Sequence, residues 1–187
     1  MHHLKQFRSL YATTLILMAL AVGLYYYPPN TIVDHIGVEN SYLTVFSIAA
    51  FGGLSSLTSG IFYAAVVTFS SGGANPWLLG VVGGIGISIG DSIIFGLFSY
   101  GLQNVRRSWK DKVERIRSYV DYYPNRIVYT TLFLILGFSP LPNDIVMFAL
   151  VTLGFQYLKI APILVLSGIT ITTVTALLGE SFTSYFF

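Results

Sequence analysis

The sequence predicts an all-α membrane protein built as an inverted repeat. Two re-entrant helical hairpins are each followed by a transmembrane helix, with an N-terminal transmembrane helix and a cytoplasmic amphipathic helix added. Three observations predict it. Of 187 residues, 54% are hydrophobic and only 10% charged, against about 25% charged in a soluble domain; mean hydropathy is +0.71. Two apolar stretches, Ser41–Ser70 and Ile127–Tyr157, run about thirty residues, whereas a bilayer core of ~30 Å takes roughly 20 helical residues per crossing. Each is broken near its middle, by Gly52-Gly53-Leu54-Ser55-Ser56-Leu57-Thr58-Ser59-Gly60 in the first and Gly137-Phe138-Ser139-Pro140-Leu141-Pro142-Asn143-Asp144 in the second. Non-helical backbone at membrane depth is tolerated only where protein or a water-filled cavity surrounds it, so these two turns are the first candidates for function.

The chain reads as one membrane domain, 1–187, in four parts: an N-terminal helix and outer loop (1–40), a first repeat (41–102), an amphipathic linker helix (103–126) and a second repeat (127–187). The first apolar run, Leu10–Tyr27, lacks a small-residue cleavage site and reads as a retained helix. Repeat 1 joins the split stretch Ser41–Ser70 to the helix Trp77–Leu102. Repeat 2 joins Ile127–Tyr157 to the helix Ile160–Gly179.

The cations decide between a hairpin and a single crossing. Lys5 and Arg8 precede the first helix, Arg106, Arg107, Lys110, Lys112, Arg115, Arg117 and Arg126 fill the centre, and Lys159 follows the second split stretch. With both stretches turning back and a cytoplasmic N-terminus, all 10 Lys and Arg lie inside. Single crossings put the central cations outside if the N-terminus is inside. With the N-terminus outside, single crossings leave Lys5, Arg8 and Lys159 on the wrong face. Re-entrance gives the best charge asymmetry. The two halves then have opposite orientation, the sequence mark of alternating-access transporters that hold substrate near the midplane.

In the linker, Val105, Trp109, Val113, Ile116 and Val120 recur at steps of three and four, the period of an amphipathic helix. Arg106, Lys110 and Arg117 occupy its other face. Such a helix lies in the interface and favours anionic lipid; the plainer alternative is a solvated linker.

Asp91 falls well inside the Trp77–Leu102 helix, where a carboxylate is costly and by default a functional candidate facing a cavity or a partner. It can also exchange a proton during a transport cycle. Ser139, Pro140, Pro142, Asn143 and Asp144 form the second turn. Proline in a first helical turn and a carboxylate near a helix N-terminus are themselves good capping chemistry, and a half-helix start also offers N–H groups to an anionic head group. Ser55, Ser56 and Thr58 offer hydroxyls in the first turn, either to substrate or to the broken backbone itself. Arg126 and Lys159 bracket the second hairpin at the cytoplasmic mouth, where they attract phosphate head groups or simply obey orientation. Gly80, Gly84, Gly86 and Gly90, and on the last helix Gly168, Thr172, Thr175 and Gly179, make small-residue faces that let backbones approach. They serve internal packing or a homodimer equally.

Catalysis is not expected. Cysteine is absent, His2 and His3 are terminal, and His35 lies in the outer loop; no paired carboxylate or Ser–His arrangement sits at membrane depth. No cofactor, metal or nucleic-acid partner is expected.

Two segments resemble the DedA family, whose domain is shared with the eukaryotic VTT proteins. Asn75-Pro76-Trp77-Leu78-Leu79-Gly80 running into Gly83-Gly84-Ile85-Gly86-Ile87-Ser88-Ile89-Gly90-Asp91 is similar to the family's glycine-rich helix ending in Gly-Asp. Ser139-Pro140-Leu141-Pro142-Asn143-Asp144 is similar to the proline-containing turn of its second hairpin. With the hairpin–helix order, the likeness covers Ser41–Gly179. The chain departs from the pattern at Phe95, where the family usually has Tyr, and at Phe98-Ser99, where a Gly-Arg pair is usual. The resemblance implies a flippase or scramblase moving membrane lipid, a polyprenyl phosphate or phospholipid, between leaflets, with proton coupling in some members. With the compact size, it also implies a prokaryotic plasma membrane. Two other readings stand beside it: a proton- or cation-coupled transporter of a small solute using the same cavity, and a non-transporting membrane assembly protein.

Overall fold

The computed structural model describes residues 29–52, 56–102, 117–118, 122–139 and 143–186. These residues are helical, and no strand occurs among them. In chain order the helices are α1 (Pro29–Ile36), α2 (Val38–Gly52), α3 (Ser56–Ser71), α4 (Pro76–Leu102), α5 (Asn125–Phe138), α6 (Asn143–Thr152) and α7 (Tyr157–Phe186). The N-terminal helix expected over Leu10–Tyr27 and the stripe from Val105 to Val120 lie outside the described residues.

Among the described residues, two helices are long and apolar enough to cross a membrane, over Pro76–Gly101 and Tyr157–Ser181. At 1.5 Å per residue each reaches about 38 Å. Shorter apolar helices are Ser59–Ser71 within α3, α5 with 14 residues and α6 with 10, the last two about 21 Å and 15 Å long. Each therefore extends over only part of a ~30 Å hydrocarbon core.

The long helices form the centre and run antiparallel. Gly80 faces Thr173, and Gly84 faces the backbone of Gly168 and Ile169. The pair meets backbone to backbone: a methyl group added at Gly168 would stand 2.9 Å from the Gly84 carbonyl oxygen. Ser88 Oγ donates to that same Gly84 carbonyl at 2.8 Å, and Thr172 Oγ1 to the Gly168 carbonyl at 2.7 Å. The buried hydroxyls thus find acceptors within their own helices, one turn back. The small faces expected to receive the hairpins are divided between partners. Gly84 meets α7, Gly86 meets Ala49 of α2 at 2.6 Å for an added methyl, and Gly179 meets Val67 and Ser70 of α3.

Two apolar cores flank the crossing. One gathers Val33, Val45, Ala49, Phe62, Val66 and Phe69 from α1–α3 against Leu79, Ile87 and Ala176. The other gathers Leu132, Leu136, Met147 and Leu150 from α5 and α6 against Ile94, Phe95, Ile160 and Leu164. Each core uses opposite halves of α4 and α7. The junctions into the long helices also match. After α3, Gly73 (φ 97°) donates to Ser70 and Ala74 to Phe69; after α6, Gly154 (φ 75°) donates to Val151 and Phe155 to Leu150. Both are Schellman closures, in which glycine supplies the left-handed residue.

At the start of α4, Asn75 Oδ1 accepts from the N–H groups of Trp77 (2.9 Å) and Leu78 (3.3 Å), an N-cap completed by Pro76 in the first turn. The Asn75 N–H donates to the Tyr42 hydroxyl at the start of α2, at 2.9 Å. Ser71 Oγ donates to the Gly179 carbonyl of α7 at 2.8 Å. The start of α2, the end of α3, the start of α4 and the C-terminal part of α7 therefore share one end of the molecule. At the opposite end, the ring of Tyr129 in α5 lies 6.5 Å from that of Phe155, just past α6.

Two boundaries differ from expectation. The segment before Ser41, read as a loop, contains α1 and the first residues of α2. Proline opens α1 with its φ already helical, Val33 is buried against the first core, and Gly37 at φ 87° makes the corner to α2. The last helix, expected over Ile160–Gly179, extends to Tyr157 and Phe186 with Pro162 inside it. Gly179 does not end the helix because its missing side chain is what admits α3.

Candidate functional site

Asp91 sits near the middle of the 27-residue α4 and is 2% exposed. An ionised or neutral carboxyl buried this deeply needs hydrogen-bond partners. The partner comes from the second break. α5 stops at Ser139, whose backbone turns extended (φ −114°, ψ 130°), and α6 opens at Asn143. Asn143 Nδ2 donates to Asp91 Oδ1 at 3.1 Å and Oδ2 at 3.3 Å. The start of α6 therefore lies at the level of the α4 midpoint. From there α6 runs along α4 toward its C-terminal end, with Phe148 packed edge-on to Phe98 at 5.4 Å.

One residue beyond Asp91, Ser92 Oγ shares a hydrogen bond with the Tyr157 hydroxyl at the start of α7. The Phe95 ring stands 5.5 Å from the Tyr157 ring and covers that contact. α4 and α6 thus meet at one buried polar contact, the acid with the amide, and α4 and α7 meet beside it at a second, half-buried one, Ser92 with Tyr157.

Of the residues expected to form the site, Asp91 and Asn143 are brought into direct contact. Asp144 lies in the first turn of α6, half-buried, and Ser139 is the half-buried residue that closes α5. Ser56 and Thr58 fall in the first turn of α3. Ser55, Pro140 and Pro142 lie outside the described residues. At the mouth, Lys159 lines a cavity but Arg126 does not; the second cation there is Arg117.

Sequence reasoning missed Ser92, Tyr157 and Arg117. Ser92 carried a readable signal, being adjacent to an intramembrane acid. The others depend on contacts across helices, and nothing in the spacing of residues announces them. Among the described residues no group of three or more His, Asp or Glu could hold a metal ion, so the arrangement here is a single buried acid in a hydroxyl and amide setting.

Compared with known proteins, the chain matches no family model, no curated protein and no solved structure.

Proposed function

We propose that this chain is a DedA-type membrane protein that moves lipid between leaflets. In this reading α2–α3 and α5–α6 are re-entrant hairpins entering from opposite faces, with the N-terminus and the α5 start cytoplasmic. The observation that carries it is the contact between Asn143, at the helix break, and Asp91, buried in the middle of a membrane-length helix. A broken backbone at that depth needs a polar, protein-lined setting, and paired breaks in two opposed halves mark alternating-access carriers.

Three further features support the reading. The short arms of each hairpin end where they began: Tyr129 of α5 meets Phe155 after α6, and Tyr42 of α2 meets Asn75 after α3. The junctions after α3 and α6 use the same glycine closure. Finally, α4 exposes Trp77, Val81, Ile85, Ile89, Ile93 and Leu97 in a single stripe at steps of four. A soluble surface does not carry an apolar ridge of that length, whereas lipid tails are its natural solvent.

In the proposed cycle the head group passes the Asp91–Asn143 pair while the tails stay in lipid. Opening requires that this pair separate, and Ser92 and Tyr157 stand beside the way for a polar group or a proton. The test is transfer of a labelled phospholipid between leaflets of proteoliposomes. Wild type should exceed empty vesicles, and Asp91→Asn should lose most of that excess. Equal rates for wild type, Asp91→Asn and empty vesicles would remove the proposal.

The near-complete burial of Asp91 favours one second reading, a proton- or cation-coupled carrier of a small solute. It predicts solute-dependent proton flux in the same vesicles without lipid movement.

A further inference from the structure

The cavity between the start of α5 and the α6–α7 junction is separate from Asp91, and its lining is unlike the rest of the molecule. It is a half-open depression of about 140 Å³ whose Arg117, Asn125, Gln156 and Lys159 are exposed. Arg117 and Lys159 line it together with Asn125, Tyr129, Gln156 and Gly154, and none of its lining residues is acidic. Two cations, two amides and a phenol around one small space are the donor set of an anion site.

The backbone is arranged to the same end. Gln156 caps α7, its carbonyl accepting from the N–H groups of Lys159 (3.0 Å) and Ile160 (3.4 Å). The positive end of a 30-residue helix therefore opens at the cavity. Gly154 holds φ 75°, and a methyl group added there would stand 2.7 Å from Arg117 Nη1 and 3.2 Å from Cζ. The guanidinium thus lies directly over the glycine backbone. Val128, Leu153 and Phe155 form an apolar wall beside the donors.

We propose that this cavity binds a phosphate group, held by Arg117 and Lys159 at the N-terminus of α7. Guanidinium and ammonium groups give charge-assisted hydrogen bonds to phosphate oxygens, stronger than neutral ones, and the helix terminus adds to the attraction. The chemistry is shared by two sources, the phosphate of a lipid head group and free phosphate. The site does not depend on lipid translocation: phosphate binds here whether or not lipid crosses the membrane.

The test uses the full chain in phosphatidylcholine nanodiscs and reads its thermal midpoint. Inorganic phosphate and dioctanoyl phosphatidic acid are titrated, with chloride and dioctanoyl phosphatidylcholine as controls at equal ionic strength and lipid content. At least one phosphate probe should raise the midpoint above its control. Lys159→Gln and Arg117→Gln should each raise the half-saturating concentration about tenfold, the loss of one charge-assisted contact. Arg126→Gln, outside the cavity, should leave it unchanged. The midpoint in chloride reports whether each variant folds, and Lys159→Arg should restore binding where Lys159→Gln loses it. Tighter binding of phosphatidic acid assigns the lipid head group; tighter binding of inorganic phosphate assigns the free anion. No shift with either probe, or an equal loss in Arg126→Gln, overturns the site.

Discussion

Asn143 Nδ2 donates to both carboxylate oxygens of Asp91, at 3.1 and 3.3 Å, although 52 residues separate the two in sequence. The amide anchors the start of α6 to the middle of α4, and it supplies a donor to an acid that water barely reaches. Replacing Asn143 by Leu removes the donor and leaves the carboxyl buried. A hydrogen bond to a charged group contributes about 1.5–3 kcal/mol. Asn143→Leu should therefore lower unfolding stability in detergent by about 2 kcal/mol, while Asn143→Gln should recover part of it. Unchanged stability in the leucine variant would mean that the contact does not hold the break in place.

The crossing of α4 and α7 predicts opposite signs for two glycine substitutions on one helix. At Gly84 any side chain collides with the backbone of Gly168 and Ile169, whereas at Gly96 nothing lies within 4 Å. Overpacking typically costs about 1–3 kcal/mol, and Gly→Ala at an open helical position gains roughly 0.5–1 kcal/mol. Gly84→Ala should lower the thermal midpoint and Gly96→Ala raise it.

The two glycine closures differ in what surrounds them. Gly73 (φ 97°) has open space around it, but Gly154 (φ 75°) also carries the Arg117 guanidinium. Alanine at either position meets a left-handed backbone, a penalty of roughly 1 kcal/mol. Gly154→Ala should lose about as much stability as Gly73→Ala and in addition displace the flexible end of Arg117, at little further cost. Comparing the two alanine variants by thermal unfolding tests that equality.

Thr152 Oγ1 is buried with no hydrogen-bond partner among the described residues. An unmet buried hydroxyl costs about 1–3 kcal/mol, and valine has nearly the same shape. Thr152→Val should therefore be neutral or stabilising by up to ~1 kcal/mol, against the usual trend for substitutions inside a fold.

The all-helical class was legible because apolar runs and their breakers act locally on sequence. Helix ends at Gly52 and Phe138 fall in the breaks read at Gly52–Gly60 and Gly137–Asp144, where glycine and proline interrupt helices, but Ser56–Gly60 of the first already belongs to α3. Asp91 was readable because an acid in an apolar run has no bland solution. Its partner was not: Asn143 reads as a capping residue, and only the packing of α6 against α4 makes it a ligand of the acid. Arg126 was read at the mouth and Arg117 on the linker helix, yet it is Arg117 that joins Lys159 at the cavity, over Gly154. The outer segment misled for another reason. Val33 and Ile36 supply too short an apolar pattern to declare a helix, and α1 is secured by the core it caps.

The central claim is that α5 and α6 enter and leave a membrane on one side. Because the chain contains no cysteine, single cysteines can be placed on an unmarked background. Asn125→Cys and Gln156→Cys flank the second hairpin, and Asn75→Cys marks the opposite end. Labelling sealed vesicles with a membrane-impermeant thiol reagent should give Asn125→Cys and Gln156→Cys the same sidedness and Asn75→Cys the other. Reaction of Asn125→Cys and Gln156→Cys from opposite faces would contradict the account.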